Sequence, residues 1–177
     1  IRRWSYATSK ALDEFLSLAY YQEKNLPVVI VRLFNTVGPR QLGEYGMVIP
    51  IFVRKALLGD KLPVFGDGNQ RRSFTYVGDV VNGIIKLMDN KDAEGQVINI
   101  GNSDEITIND LAQLVIKKTN SNSNIEYISY EKAYGSGFED MSRRKPDISK
   151  IKSLIGFKPT MGIEEMIEEI VEYMKSN

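Results

Sequence analysis

The chain has 177 residues, a formal net charge of zero, 42 % hydrophobic residues, and neither cysteine nor histidine. That length and apolar content suit a compact chain with a real core, and the balanced charge argues against a nucleic-acid footprint. Without cysteine or histidine there are no disulfides, thiolate nucleophiles, zinc–sulfur sites or Ser-His-Asp mechanisms, and any metal would need oxygen ligands alone.

The segment from Trp4 to Glu23 reads as an amphipathic helix, with Leu12, Phe15, Leu16 and Ala19 at i, i+3, i+4 and i+7. After "NLP", the continuous run "PVVIVRLF" (27–34) predicts a strand buried on both faces, as in a parallel sheet. "NTVGPRQLGEYG" (35–46) is a Gly/Pro-punctuated loop, and "MVIPIFVRKALLGD" (47–60) is a helix that tolerates Pro50 only in its first turn. "LPVFGDGNQRRSFTYV" predicts two short strands joined around Asp67-Gly68.

A helix over 78–90 follows, with Asp79 as its expected cap, and then a short buried strand, "QVINIG" (96–101). The helix at 107–119 opens with Thr107 and Asp110 in a capping-box-like spacing. "YEKAYGSGFEDMSRRKPD" reads as irregular, and "ISKIKSLIG" and "IEEMIEEIVEYMKS" close the chain as helices. Alternating helices and strands imply α/β architecture. Only two strands read as buried and parallel, so the rest of the sheet is expected upstream of Ile1, where the chain starts without Met. No apolar run approaches the roughly 20 residues of a membrane span and no signal peptide is visible. A soluble cytoplasmic protein, with neither membrane nor nucleic acid as partner, is the expectation.

Tyr6 and Lys10 stand at i and i+4, on one helix face. A phenol titrates near 10, so its use as a base at neutral pH means lowering that by roughly three, about 4 kcal/mol. A nearby ammonium works in that direction, and tyrosine is an accepted acid/base for carbonyl–alcohol interconversion. Spacing alone does not separate this pair from Tyr20 and Lys24, which have the same interval near the helix end. Ser129–Lys132 and Ser149–Lys152 match the Ser-x-x-Lys spacing of some hydrolases, with no supporting motif.

Six pieces occur in order: "YATSK", "RLFNTVGPRQ", "VIPIFVRKALLGDKLPVFGDGNQRRSFTYVGDVV", "INIGN", "RRKPDISK" and "IGFKP". Together they resemble the C-terminal half or slightly more of the extended short-chain dehydrogenase/reductases acting on nucleotide sugars, which include UDP-hexose 4-epimerases, sugar 4,6-dehydratases and UDP-glucuronate decarboxylases. The resemblance implies an NAD(P)-binding Rossmann-like fold, here the last strands of its parallel sheet plus the small α/β substrate-binding domain. It implies that 1–38 carry the catalytic helix and strand, that 39–177 are mainly substrate-binding, and that 78–101 return to the Rossmann sheet.

By the same resemblance Tyr6 is the catalytic acid/base, and Lys10 binds the nicotinamide ribose and lowers the tyrosine's pKa. Phe34 lies near the nicotinamide, and the cofactor is NAD. Asn35 contacts the substrate diphosphate, Val48 meets the nucleotide through its main chain, and Phe65 packs on the base. Arg72 and Arg144 hold the diphosphate, a task suited to planar bidentate cations, and Asp147 takes the nucleotide ribose. The doubled arginines at 71–72 and 143–144 leave the register open by one.

The family's Gly-rich dinucleotide fingerprint is absent from these residues, "GDGNQR" lacking its third glycine and its strand-to-helix context. The expected function is a UDP-sugar 4-epimerase working through a 4-keto intermediate on a nucleotide-diphosphate sugar. UDP-glucuronate decarboxylase and 4,6-dehydratase are the alternatives within the family, and a non-catalytic nucleotide-sugar binding fragment is the alternative outside it. A homodimer built on the Tyr-Lys helix is the expected assembly.

Overall fold

The computed structural model describes residues 2–43, 47–135, 137 and 140–176. Residues 44–46 of the expected loop and 136, 138 and 139 of the expected irregular segment lie outside them. The first helix, α1 (Arg2–Lys24), is followed by β1 (Ile30–Leu33) and the short β2 (Thr36–Val37). Next come α2 (Val48–Leu58), β3 (Leu62–Phe65), β4 (Arg71–Arg72), β5 (Thr75–Tyr76) and α3 (Val77–Met88). A 3₁₀ turn at Lys91–Ala93 leads into β6 (Val97–Ile100), β7 (Ile106–Thr107) and α4 (Ile108–Thr119). The chain ends through β8 (Ile125–Ile128), α5 (Tyr130–Tyr134), β9 (Arg143–Arg144), α6 (Ser149–Ile155) and α7 (Ile163–Ser176).

β1 and β6 pair in parallel, Ile30 opposite Val97 and Leu33 opposite Ile100. These are the two runs that read as parallel strands. β1 is not buried on both faces, however: Leu33 is 50 % exposed, because β6 is its one partner strand among the described residues. Its inner side joins a core of Val80, Leu87, Ile98, Ile100, Ile151 and Phe157, supplied by α3, β6, α6 and the residues after α6.

A second core forms where α2, α4 and α7 pack together beside β3, with Ile49, Phe52, Val53, Leu62, Leu111 and Ile167 at its centre. Each helix contributes one apolar stripe, so three helices and a strand close around an apolar interior. β3 pairs in parallel with β8, a strand that the sequence pattern did not predict.

The two short strands expected around Asp67-Gly68 do not form a hairpin. β3 goes to β8, while β4 lies between β7, antiparallel, and β9, parallel. The Asp67-Gly68 turn is instead pinned to the start of α4, where Asn109 N donates to Gly68 O at 3.0 Å and Asn109 Nδ2 donates to Asp67 O at 2.9 Å. Thr107 does cap α4, its hydroxyl accepting from Asp110 N at 3.0 Å.

Asp79 is not a cap. It is the third residue of α3, buried, and it accepts from Thr160 N at 2.9 Å and Thr160 Oγ1 at 2.7 Å. It therefore ties α3 to the segment ahead of α7. The apolar face of α1 is also not a core face here, since Leu12, Phe15 and Leu16 are exposed.

Candidate functional site

The site grows from the paired strands β4 and β9. Their register sets Arg71 opposite Arg143 and Arg72 opposite Arg144. Because successive strand residues face opposite sides, one arginine of each doublet turns outward and the other inward. Arg143 is exposed and donates to Glu105 Oε1 at 2.8 Å, which holds the Glu105 carboxyl below the ordinary carboxylate range. Arg72 is 11 % exposed and Arg144 is half-buried, and both line a cavity of about 230 Å³.

Asn35 joins them from the end of β1. Its backbone has φ 38°, a left-handed conformation that asparagine tolerates better than most residues. In that pose Asn35 Nδ2 donates to Ser73 O at 2.7 Å while Oδ1 accepts from Arg144 Nη2. Val48, the first residue of α2, and Phe65, the last of β3, complete this wall. Five of the residues singled out from sequence (Asn35, Val48, Phe65, Arg72 and Arg144) thus line one cavity.

Tyr130, Tyr134 and Asp140 also line it and were not found by sequence reading. They fall in the segment that reads as irregular, where the findable signal was the i, i+4 spacing of the two tyrosines after Ser129. Ser129 Oγ accepts from Lys132 N at 3.3 Å, so the Ser-x-x-Lys match at this point is a helix start. The second match is also a helix start, Ser149 being the first residue of α6.

Tyr134 packs on Phe65 with ring centroids 5.4 Å apart and on Tyr130 at 6.4 Å. Gly66, at φ 72°, permits the approach: a Cβ there would lie 2.5 Å from the Tyr130 ring. Burial, and then the Asp140 charge, pushes both phenols above the ordinary tyrosine value. Arg72 Nη2 donates to Asp140 Oδ2 at 2.7 Å. Two guanidinium ions, one carboxylate and an aromatic wall can hold an anion at one end and a planar ring at the other.

Asp147 lies elsewhere, in an open groove with Arg143 and Lys145. Its Oδ1 accepts from Ser149 N at 2.9 Å, and that bond keeps its carboxyl below the usual value.

Tyr6 and Lys10 are not in the cavity lining either. Tyr6 is 69 % exposed, and Lys10 Nζ donates to Asp13 Oδ2 at 2.8 Å, which raises the lysine's pKa. Their place follows from the way α1 lies along β1. Tyr21 abuts Gly95, just ahead of β6, and Glu14 accepts from Arg32 Nε at 2.7 Å and Nη2 at 2.6 Å. Moving toward the helix start therefore runs toward the carboxyl ends of β1 and β6, and Lys10 lies about 6 Å beyond Glu14 along the axis.

Phe34 is at that carboxyl end, its N–H donating to Ile100 O at 3.0 Å. Gly101 lets Phe34 and Pro146 close over it, since a Cβ there would lie 2.5 Å from Pro146 and 3.1 Å from Phe34. Ligands of open parallel α/β sheets bind at this end of the strands. Tyr6 and Lys10, one helical turn apart on the part of α1 that runs toward this end, carry a hydroxyl and an ammonium, donors of the kind that the ribose of a dinucleotide can accept.

A family model described as GDP-mannose 4,6 dehydratase matches residues 2–170. The chain is 46 % identical over 174 residues, 98 % of its length, to a UDP-N-acetyl-α-D-glucosaminuronate decarboxylase of Bacillus cytotoxicus, and it covers 54 % of that protein. Among solved structures, a UDP-glucose 4-epimerase of Thermotoga maritima with UDP-glucose superimposes with TM-score 0.87 at 30 % identity, over 97 % of this chain and 53 % of that one. A UDP-glucuronic acid 4-epimerase of Bacillus cereus, in complex with UDP-glucuronic acid and NAD, gives 0.86 at 28 % identity, over 97 % and 52 %. The chain therefore spans about half the length of these proteins.

Proposed function

Because the chain belongs to the GDP-mannose 4,6-dehydratase family of extended short-chain dehydrogenase/reductases, we propose that it is part of an NAD-dependent enzyme that decarboxylates a UDP-uronate. The carrying observation is the 46 % identity, over 98 % of the chain, with a UDP-N-acetyl-α-D-glucosaminuronate decarboxylase. Read from the sequence alone, a UDP-sugar 4-epimerase comes first, because it needs no acid beyond the apparatus that the family shares. That remains the second reading, favoured by the TM-score of 0.87 to a UDP-glucose 4-epimerase.

In this reading Arg72 and Arg144 hold the diphosphate, with Asn35 steadying Arg144, and Phe65 and Val48 receive the nucleotide base. Asp147 reaches the nucleotide ribose from the neighbouring groove. Lys10 leaves Asp13 for the nicotinamide ribose and the Tyr6 phenol, and Phe34 covers the nicotinamide. NAD, when bound, would supply the two-electron acceptor at sugar C4 and give the same two electrons back at the end, so no outside oxidant or reductant is consumed. Tyr6, as phenolate, takes the proton of the C4 hydroxyl, leaving a 4-keto sugar whose C6 carboxylate is β to the ketone. Carbon–carbon cleavage then releases CO₂ and an enolate, which is protonated at C5. Tyr6 returns its proton to C4 oxygen as the ketone is reduced, so the overall reaction is redox-neutral.

Residues 1–38 and 78–101 belong in this reading to the dinucleotide-binding part, and the rest of 39–177 mainly to the substrate part. A homodimer through α1 accounts for the exposed Leu12, Phe15 and Leu16. A cytoplasmic location completes the reading, and no described helix is long and apolar enough to cross a membrane.

The test is to supply the purified protein with NAD⁺ and, in separate reactions, UDP-N-acetylglucosaminuronate, UDP-glucuronate and UDP-glucose. Release of one CO₂ per UDP-pentose derivative formed is the expected result. Epimerised UDP-glucose or UDP-glucuronate without CO₂ would replace decarboxylation with the second reading. UDP binding with no turnover of any of these would leave a nucleotide-sugar binding module.

A further inference from the structure

We propose that Asp140 is a positioning residue that couples the phosphate-binding end of the cavity to its aromatic wall; this rests on the nucleotide-sugar reading of the cavity. One atom carries the argument. Asp140 Oδ2 accepts from Arg72 Nη2 at 2.7 Å and from the Tyr130 hydroxyl at 3.3 Å, while its Oδ1 is fixed by Met141 N at 2.9 Å.

Arg72 is held on its other branch by Arg71 O at 2.7 Å. A guanidinium has five N–H donors in a rigid fork, so these two bonds orient it while further donors serve an anion. Tyr130 is seated against Gly66 and stacks on Tyr134, which in turn packs on Phe65. The position of the aromatic wall and the angle of the guanidinium therefore meet on one carboxylate oxygen. A shift of either is felt by the other through Asp140, although no phosphate contact by Tyr130 is required.

Charge makes the inference decidable. A carboxylate beside a bound diphosphate repels it, so an Asp140 that merely neighbours the site opposes binding, and its removal would tighten UDP. An Asp140 that orients Arg72 and Tyr130 has the opposite effect, because the disordered fork and wall cost more than the repulsion relieved.

The experiment is calorimetric titration with UDP and with inorganic pyrophosphate. The proteins compared are the parent, Tyr130→Phe, Arg72→Lys and their double variant, each also with Asp140→Asn. Thermal melts establish that each variant is folded. Asp140→Asn is expected to weaken UDP, and Tyr130→Phe to weaken pyrophosphate although it removes only a hydroxyl from the aromatic wall. Tyr130→Phe and Arg72→Lys should be non-additive by on the order of threefold to tenfold, with that coupling gone in the Asp140→Asn background.

Unchanged or tighter UDP binding by Asp140→Asn overturns the inference, as does additivity of the two single variants with Asp140 intact. If the parent binds neither probe, the nucleotide-site reading fails first and takes this inference with it. If the parent binds and the coupling is absent, only the inference fails.

Discussion

Tyr6 and Tyr20 each precede a lysine by four residues on the same helix, and their surroundings separate them. Tyr6 lies toward the carboxyl ends of β1 and β6, where the α/β layout gathers ligands. Tyr20 is near the other end, its carbonyl accepting from Leu26 N at 3.4 Å as the helix terminates. In the active protein with NAD, Tyr6→Phe should lower kcat by about 10²- to 10⁴-fold while UDP affinity stays nearly constant. Tyr20→Phe should leave kcat within about twofold, the size expected of a surface change. Steady-state kinetics paired with UDP titration makes the comparison, and equal losses would remove Tyr6 from the chemistry.

Among elements, the decisive contacts are made by short pieces that have no periodic signature. β4 and β9 have two residues each, too few for any alternation to be visible, yet their pairing sorts four arginines into two that face solvent and two that face the cavity. Asp79 makes the same point for helices. It stands where a cap would be plausible, but α3 starts early enough that the carboxylate falls in the first turn and reaches Thr160 instead. Asp79→Ala removes the acceptor of both Thr160 donors. Thr160 is exposed, so water takes over part of that role and the loss is the net worth of the bonds, about 0.5–1.5 kcal/mol. Urea denaturation should show a lower midpoint with an unchanged slope. A midpoint equal to that of the parent would mean that the α3–Thr160 tie adds nothing to stability.

For the whole molecule, the absence of histidine shapes the response to pH. No histidine titrates between pH 5 and 8, so side-chain protonation should leave stability nearly flat there. The acid limb is different. Arg32 holds Glu14 low, Arg143 holds Glu105 low, Lys118 holds Glu164 low, and backbone N–H groups do the same for Asp67 and Asp147. A carboxylate with a depressed folded pKa contributes stability that is fully present above its unfolded value, about 4, and is lost as pH falls through the folded value. Thermal melts should therefore give a plateau from about pH 6 to 8 and a steep fall in Tm below about pH 4. A fall centred near pH 6 would contradict this account.

Sequence alone determined the α/β class, the long helices, the two parallel strands and the order of motifs that marks the family, because each rests on local periodicity or contiguous residues. It also picked out Asn35, Val48, Phe65, Arg72 and Arg144, which line one cavity although they are spread over 110 positions. Tertiary structure alone decided which arginine of each doublet faces inward, that β3 pairs with β8, and that Tyr130, Tyr134 and Asp140 join the same wall. It also set Asp147 in a different groove and Lys10 on Asp13. The physical reason is range. Helix caps and apolar stripes are settled within a few residues, whereas the direction of an arginine in a two-residue strand is set by a partner 72 positions away in the chain.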